Sequence, residues 1–339
     1  MNLIYPLIGL KIWRVVNFKV VPWPEKDYGK FYSGIYCIYN LSFILFIITY
    51  TNPETKALKH NIHFWLGNNT SQDEAGTAAY KTVELDNYLG TGPVEYREIQ
   101  GYESEIFISY FKQLVIMNGG ADSGFNIVKP VEYKPQLFHI KSVGKTLTCT
   151  SVPLSTSSLN TGDVFVLDLG LNIYQWNGSK ASGIEKHKAM EFTSALDSER
   201  SGKPTIKTFD QDDSDATPFW EALGGKTTIK DEPSVYRTKK NVAGDKILLR
   251  LTDNSGTIEF KEEAKNDISL SMLDTNDVFI IDVPTEVFIW IGNKSNVNEK
   301  TNAFKYAMDY VKKTSKASNI PITRIVEGNE TNEFKSYFN

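Results

Sequence analysis

Cysteine is nearly absent. Cys37 and Cys149 are the only two in 339 residues, too few for a disulfide framework or a four-thiolate metal site, and they fit a reducing, cytoplasmic compartment. Histidine is as sparse: His60, His63, His139 and His187 show no metal-ligand spacing. No serine stands in Gly-x-Ser-x-Gly, so no enzyme chemistry is visible. Excess positive charge is missing too. Lys plus Arg total 37 against 41 Asp plus Glu, a formal charge of −4, which removes the broad attraction that nucleic-acid binders depend on. Gly144-Lys145-Thr146 and Gly225-Lys226-Thr227 look like phosphate-loop endings, but His139 and Trp220 stand where the first glycine is required, so no nucleotide site is expected. Met1 to Ile8 lacks the basic start and cleavage site of a secretory signal. One long apolar run exists, Ile35 to Tyr50; it is shorter than the roughly 20 residues a spanning helix needs, and its Ile, Phe, Tyr and Thr content favours strand.

What the chain has in abundance is self-similarity. An apolar run ends in Trp-x-Gly at Trp65/Gly67, Trp176/Gly178 and Trp290/Gly292, with tryptophans 111 and 114 residues apart, the spacing of whole domains and not of a solenoid. Nine residues after each Trp comes a glutamate, Glu74, Glu185 or Glu299, and four later an alanine. Ser71-x-x-Glu74, Ser182-x-x-Glu185 and Asn296-x-x-Glu299 form capping-box patterns, so long helices are expected over 74–89, 185–199 and 299–314. Acidic residues open three apolar i, i+4, i+8 rows, Glu103/Phe107/Phe111, Asp215/Phe219/Leu223 and Glu330/Phe334/Phe338, each one face of a shorter helix. Gly162 to Asp168 and Asn276 to Asp282 are matching runs, apolar on both faces as central strands between two helical layers require. Each repeat therefore reads as an α+β domain, a central mixed β-sheet between one long and one short helix. Pro, Lys and Gly collect near 129–135 and 226–242, so domains are expected at 9–128, 135–226 and 242–339.

The first repeat carries GLKIWRV (9–15), YGKFYSG (28–34), HFWLGNNTSQDEAGTAA (63–79), LDNYL (85–89), QGYES (100–104) and GGADSGF (119–125). The second carries LDLGLNIYQWNG (167–178) and ERSGK (199–203). In these stretches the chain resembles the gelsolin/villin family, and its three-repeat length is similar to the severin and fragmin branch. The resemblance implies three gelsolin-like domains in a calcium-dependent, non-enzymatic protein that binds actin monomers and filaments, severs filaments and caps their barbed ends. It implies Ca²⁺ ligands at Gly162, Asp163 and Glu185 in repeat two, at Asn276, Asp277 and Glu299 in repeat three, and at Glu74 with the Ala121 carbonyl in repeat one; clustered hard oxygens suit Ca²⁺. It further implies that Asp86 helps hold a second Ca²⁺ shared with actin, and that Tyr80, Glu84 and Asp86 face outward on the long helix toward actin. The glutamates have a simpler role open to them, capping the helix that each one heads, and Asp86 that of an ordinary surface residue. Asp163 and Asp277, each 13 residues before its Trp, favour the metal, because a cap needs no second carboxylate. Family members place basic clusters after the first domain. Here Lys112, Lys134, Lys141 and Lys145 are scattered, so only weak phosphoinositide binding is expected, by a monomeric protein.

The resemblance breaks at 35–49. After Phe31-Tyr32-Ser33-Gly34 the family continues with an aspartate and a short strand, whereas here Ile35 and a longer apolar segment follow. The missing aspartate removes a carboxylate beside Glu74, and a strand lengthened by an odd number of residues must bulge, loop out or reverse its faces. Exposed, such a run is an aggregation hazard. It is either a genuine insertion or a translated intron or splice product. If it disables repeat one, the alternative is a calcium-binding actin side-binder or scaffold without severing.

Overall fold

A computed structural model describes residues 9–16, 19–32, 42–52, 55–68, 70–90, 92–117, 134–143, 146–231, 244–254, 257–314, 316 and 319–339. Repeat one supplies β1 (Gly9–Val16), β2 (Lys19–Pro22), β3 (Lys30–Tyr32), β4 (Ser42–Thr51), β5 (Leu58–Leu66), α1 (Gln72–Leu89), β6 (Val94–Ile99), α2 (Glu105–Ser109) and β7 (Gln113–Met117). Repeat two supplies β8 (Gln136–Val143), β9 (Thr146–Val152), β10 (Val164–Asp168), β11 (Asn172–Asn177), α3 (Gly183–Glu199), β12 (Thr205–Asp210) and α4 (Thr217–Ala222). Repeat three supplies β13 (Ile247–Asn254), β14 (Thr257–Lys265), β15 (Val278–Asp282), β16 (Val287–Ile291), α5 (Val297–Lys313), β17 (Ile322–Val326) and α6 (Asn332–Lys335).

The long helices begin where their caps dictate. Ser71 and Ser182 close reciprocal capping boxes with Glu74 and Glu185, Asn296 accepts the Glu299 N–H at 2.8 Å, and α1 ends on Gly90 at φ 63°. That left-handed cap is cheap only for glycine.

The three repeats form two compact units. Among the described residues, one gathers those within 1–26, 37–107 and 239–339, the other those within 27–36 and 108–238. The first is built on a ten-stranded sheet, β14-β13-β15-β16-β17-β6-β5-β4-β1-β2, in which β17 of repeat three pairs antiparallel with β6 of repeat one through Ile322↔Arg97, Thr323↔Tyr96 and Arg324↔Glu95. Strand alternation splits its core. Ile289 and Ile291 join Phe64, Leu66, Ala78, Phe304 and Ala307 under α1 and α5, while Phe288 and Trp290 point the other way, toward Tyr96, Phe279 and Phe334. The second unit holds a seven-stranded sheet, β12-β11-β10-β8-β9-β7-β3, so two strands of repeat one extend the sheet of repeat two. There Trp176 is fully buried, its ring about 6 Å from those of Phe165, Phe219 and Trp220. Such a side chain removes about 200 Å² from water, roughly 5 kcal/mol of gross apolar stabilisation.

The apolar segment behaves differently from the expectation. Residues 42–49 pair with β1 and residues 44–51 with β5, each in unbroken register, without a bulge or reversal. The tryptophan ladder partners give the reason. Trp176 faces Phe165 and Trp290 faces Phe279, whereas Trp65 faces Ile44. The repeat-one hairpin is thus ten residues longer than the other two, and because directly opposite residues share a face the added length leaves the Trp65–Ile44 pairing intact. Ile44, Leu45, Phe46 and Ile47 are buried, so this stretch is core and not an exposed edge. Residues 35–41 lie outside the described residues. Among the described residues no helix is long and apolar enough to cross a membrane.

Candidate functional site

In repeats two and three the same backbone device sets the candidate ligands. Gly178 and Gly292 donate to the Asp163 and Asp277 carbonyls at 2.9 and 3.0 Å. A Cβ on either would overlap the carbonyl of Thr161 or Thr275. The glycine of Trp-x-Gly is therefore required by close approach of the loop that carries the leading aspartate.

Asp163 lies at the entry to β10 and is 2 % exposed. Its Oδ2 accepts from His139 Nε2 at 2.7 Å and Asn160 Nδ2 at 2.8 Å, with Lys141 Nζ 3.7 Å away, while Oδ1 is buried without a hydrogen-bond partner. Burial alone would raise this carboxyl, but the His139, Asn160 and Lys141 interactions outweigh it and hold it at about 2. Glu185, also buried, accepts from the Ser182 N–H and hydroxyl at 3.1 and 2.8 Å. In repeat three, Asp277 is bound by Arg250 Nη1 at 2.7 Å, Asn276 directs its N–H and amide to Asp274, and Glu299 is buried at the start of α5.

In repeat one Glu74 is buried and its Oε2 accepts the Ser71 N–H at 2.6 Å. Tyr80 is 59 % exposed, and Glu84, also exposed, bonds Lys81 at 2.6 Å. Asp86 does not share their outward face. It is 8 % exposed and accepts from Arg324 Nη1 of β17 at 2.8 Å; the same guanidinium binds Glu95, which is fully buried. Helical periodicity accounts for the correction: four residues return Glu84 to the side of Tyr80, whereas six carry Asp86 toward the opposite one. Lys112 and Lys134 are exposed and Lys141 turns toward Asp163. Ala121 and Lys145 lie outside the described residues, and among the described residues no three His, Cys, Asp or Glu side chains converge as a metal cluster.

His139, Arg250 and Arg324 were not singled out from sequence, because each reaches its carboxylate across a strand ladder and not along the chain. The acidic openers of the short-helix rows also have another function. Glu103 and Glu330 accept the indole N–H of Trp65 and Trp290 at 3.0 and 2.9 Å. Their recurrence 38 and 40 residues after the Trp was the available signal.

Repeated mixed-sheet domains with a Trp-x-Gly strand, a glutamate-headed helix and a leading aspartate define one recurring class of domain. The gelsolin-repeat family matches residues 17–108, 148–217 and 259–335. The chain is 41 % identical over 332 residues to gelsolin-like protein 2 of Lumbricus terrestris, covering 97 % of this chain and 87 % of that one. It is 38 % identical over 330 residues to severin of Echinococcus granulosus, covering 94 % and 83 %, and 36 % identical over 342 residues to gelsolin of Drosophila melanogaster, covering 97 % and 42 %. The chain belongs to the gelsolin family, whose members bind actin and are not enzymes.

Proposed function

We propose that the protein is a calcium-dependent, monomeric actin-binding protein of the cytoplasm that severs filaments and caps their barbed ends. The observation that supports this best is the state of α1. Tyr80 and Glu84 are presented to solvent, while Asp86 is held by an arginine of repeat three in a sheet shared by both repeats. An element needed for actin and tied to another repeat suits a two-state protein.

The residues of repeat two suit a cation: Asp163 keeps one buried oxygen without a hydrogen-bond partner, beside a backbone that close packing has fixed. Gly162, Asp163 and Glu185 would hold Ca²⁺ there, and Glu74 its counterpart in repeat one. When bound, the ion would supply a divalent charge that gathers these oxygens. Glu185 would have to turn from Ser182 toward the metal. Tyr80, Glu84 and a released Asp86 would then contact actin, with the work done by binding energy. Phosphoinositide binding through Lys112, Lys134, Lys141 and Lys145 would be weak, since each cation contributes about 1 kcal/mol near an anionic membrane.

Depolymerisation of pyrene-labelled filaments on dilution, with and without Ca²⁺, tests the reading. Faster loss of signal only with Ca²⁺ is expected. Slower loss, the signature of a side-binder or scaffold, would overturn severing, and an effect independent of Ca²⁺ would overturn the switch.

A further inference from the structure

Repeats two and three share a feature beyond the leading aspartate: a nitrogen aimed at it from the neighbouring strand. His139 stands opposite Phe165 in the β8/β10 ladder and Arg250 opposite Phe279 in β13/β15. The imidazole stacks on Phe165 with centroids 4.8 Å apart, and the guanidinium carbon lies 5.2 Å from the Phe279 ring centre. The consequences differ. Asp163 retains the buried, unpartnered Oδ1. Asp277 is bound at 2.7 Å by Arg250, whose Nε lies 3.1 Å from Glu263 Oε1, so the guanidinium sits between two carboxylates, the second of which also pairs with Lys261. Asn276 stands where repeat two has Gly162, and both its N–H and its amide are directed to Asp274. The Asn276 bonds use nitrogens and cost no oxygen ligand; it is the guanidinium fixed on Asp277 that leaves the donor set implied for repeat three unfit for a calcium ion.

We propose that Arg250 is the built-in cation of repeat three, and that this repeat takes no Ca²⁺ at Asp277 and Glu299. A guanidinium stays charged at every pH the protein meets. A divalent ion on Asp277 Oδ2 would have to displace a charge-assisted hydrogen bond, and one on the other carboxylate oxygen would sit beside a fixed positive charge. A lysine could retract its point charge along a flexible stem; the arginine is held by two carboxylates and a ring face. The inference deepens the calcium reading given above and rests on it only for the contrast with repeat two.

Equilibrium dialysis of the full chain against radioactive ⁴⁵Ca²⁺ counts bound ions directly. Glu185→Gln should lose about one ion, reporting on repeat two alone. Glu299→Gln should leave the count of the natural chain unchanged. Arg250→Gln should gain about one ion, and the double variant Arg250→Gln/Glu299→Gln should lose it again. Loss of an ion in Glu299→Gln alone would overturn the proposal, as would an unchanged count in Arg250→Gln that keeps the natural circular dichroism spectrum. If Arg250→Gln does not fold, the Glu299→Gln count still decides. An unchanged count in Glu185→Gln would instead refute the calcium reading of repeat two and leave the comparison at repeat three standing.

Discussion

Glu103 and Glu330 occupy the same place in repeats one and three. Each accepts the indole N–H of its repeat's tryptophan and the N–H of a glycine two residues earlier. Their titration diverges. Burial pushes Glu103 up to about 7, opposed by the bonds from Trp65 and Gly101 and reinforced by the Glu98 charge. At Glu330 burial also raises the pKa, but the Trp290 and Gly328 bonds and the Lys335 charge outweigh it and leave the group below its ordinary value. For Glu103 the folded value lies above the unfolded 4.5. Its stabilising contribution is therefore complete below pH 4.5 and is lost as pH rises through about 7, a change of about 3 kcal/mol. Glu103→Gln keeps an acceptor for the indole and removes the proton. Urea unfolding at several pH values should show a flatter pH dependence of stability in the variant over this window; an unchanged slope would assign it to another group.

Two glycines separate local from tertiary control of the elements. Gly76 lies inside α1 with nothing within 4 Å of where a Cβ would stand. Gly76→Ala should therefore stabilise by about 0.5–1 kcal/mol through helix propensity. Gly292→Ala should destabilise by about 2 kcal/mol or more, because the Thr275 carbonyl must move. Thermal unfolding of both variants checks the pair, and opposite shifts in midpoint are expected. This contrast also marks what could be read in advance. The caps at Ser71, Ser182 and Asn296 and the recurrence of Trp-x-Gly are short-range patterns, visible in sequence because their physics acts over a few residues. The placement of β3 and β7 in the sheet of repeat two, and the pairing of Asp86 with Arg324, depend on ladders between strands far apart in the chain, which no local pattern encodes. The faces of β4 could not be read from its almost uniformly apolar sequence; they follow from its register with β5, in which Ile44 stands opposite Trp65.

Across the larger unit, repeats one and three meet along β6 and β17, and the centre of that seam is charged. Arg324, 3 % exposed, binds Asp86 and the fully buried Glu95. Burial pushes the Asp86 carboxyl above its ordinary value, against the pull of the Arg324 charge and hydrogen bond. Removing the cation strands two carboxylates away from water, at a cost of about 3–5 kcal/mol. Arg324→Gln should therefore speed amide hydrogen exchange in β6 and β17 while leaving the strands of the seven-stranded sheet at their natural rates. Equal protection of β6 in the two proteins would show that the seam is held by its apolar neighbours. The seam also has a history during synthesis. The last residue of β6 leaves the ribosome more than 220 residues before the first of β17, a delay of about 10–45 s at ordinary elongation rates. For that interval β6 is an unpaired sheet edge, open to the nascent chains of neighbouring ribosomes. Glu95, Arg97 and Glu98, the charged residues on that strand, are the kind of side chain that keeps such an edge from pairing with a stranger. The carboxylate that later anchors Arg324 thus begins as a guard for the place that β17 will take.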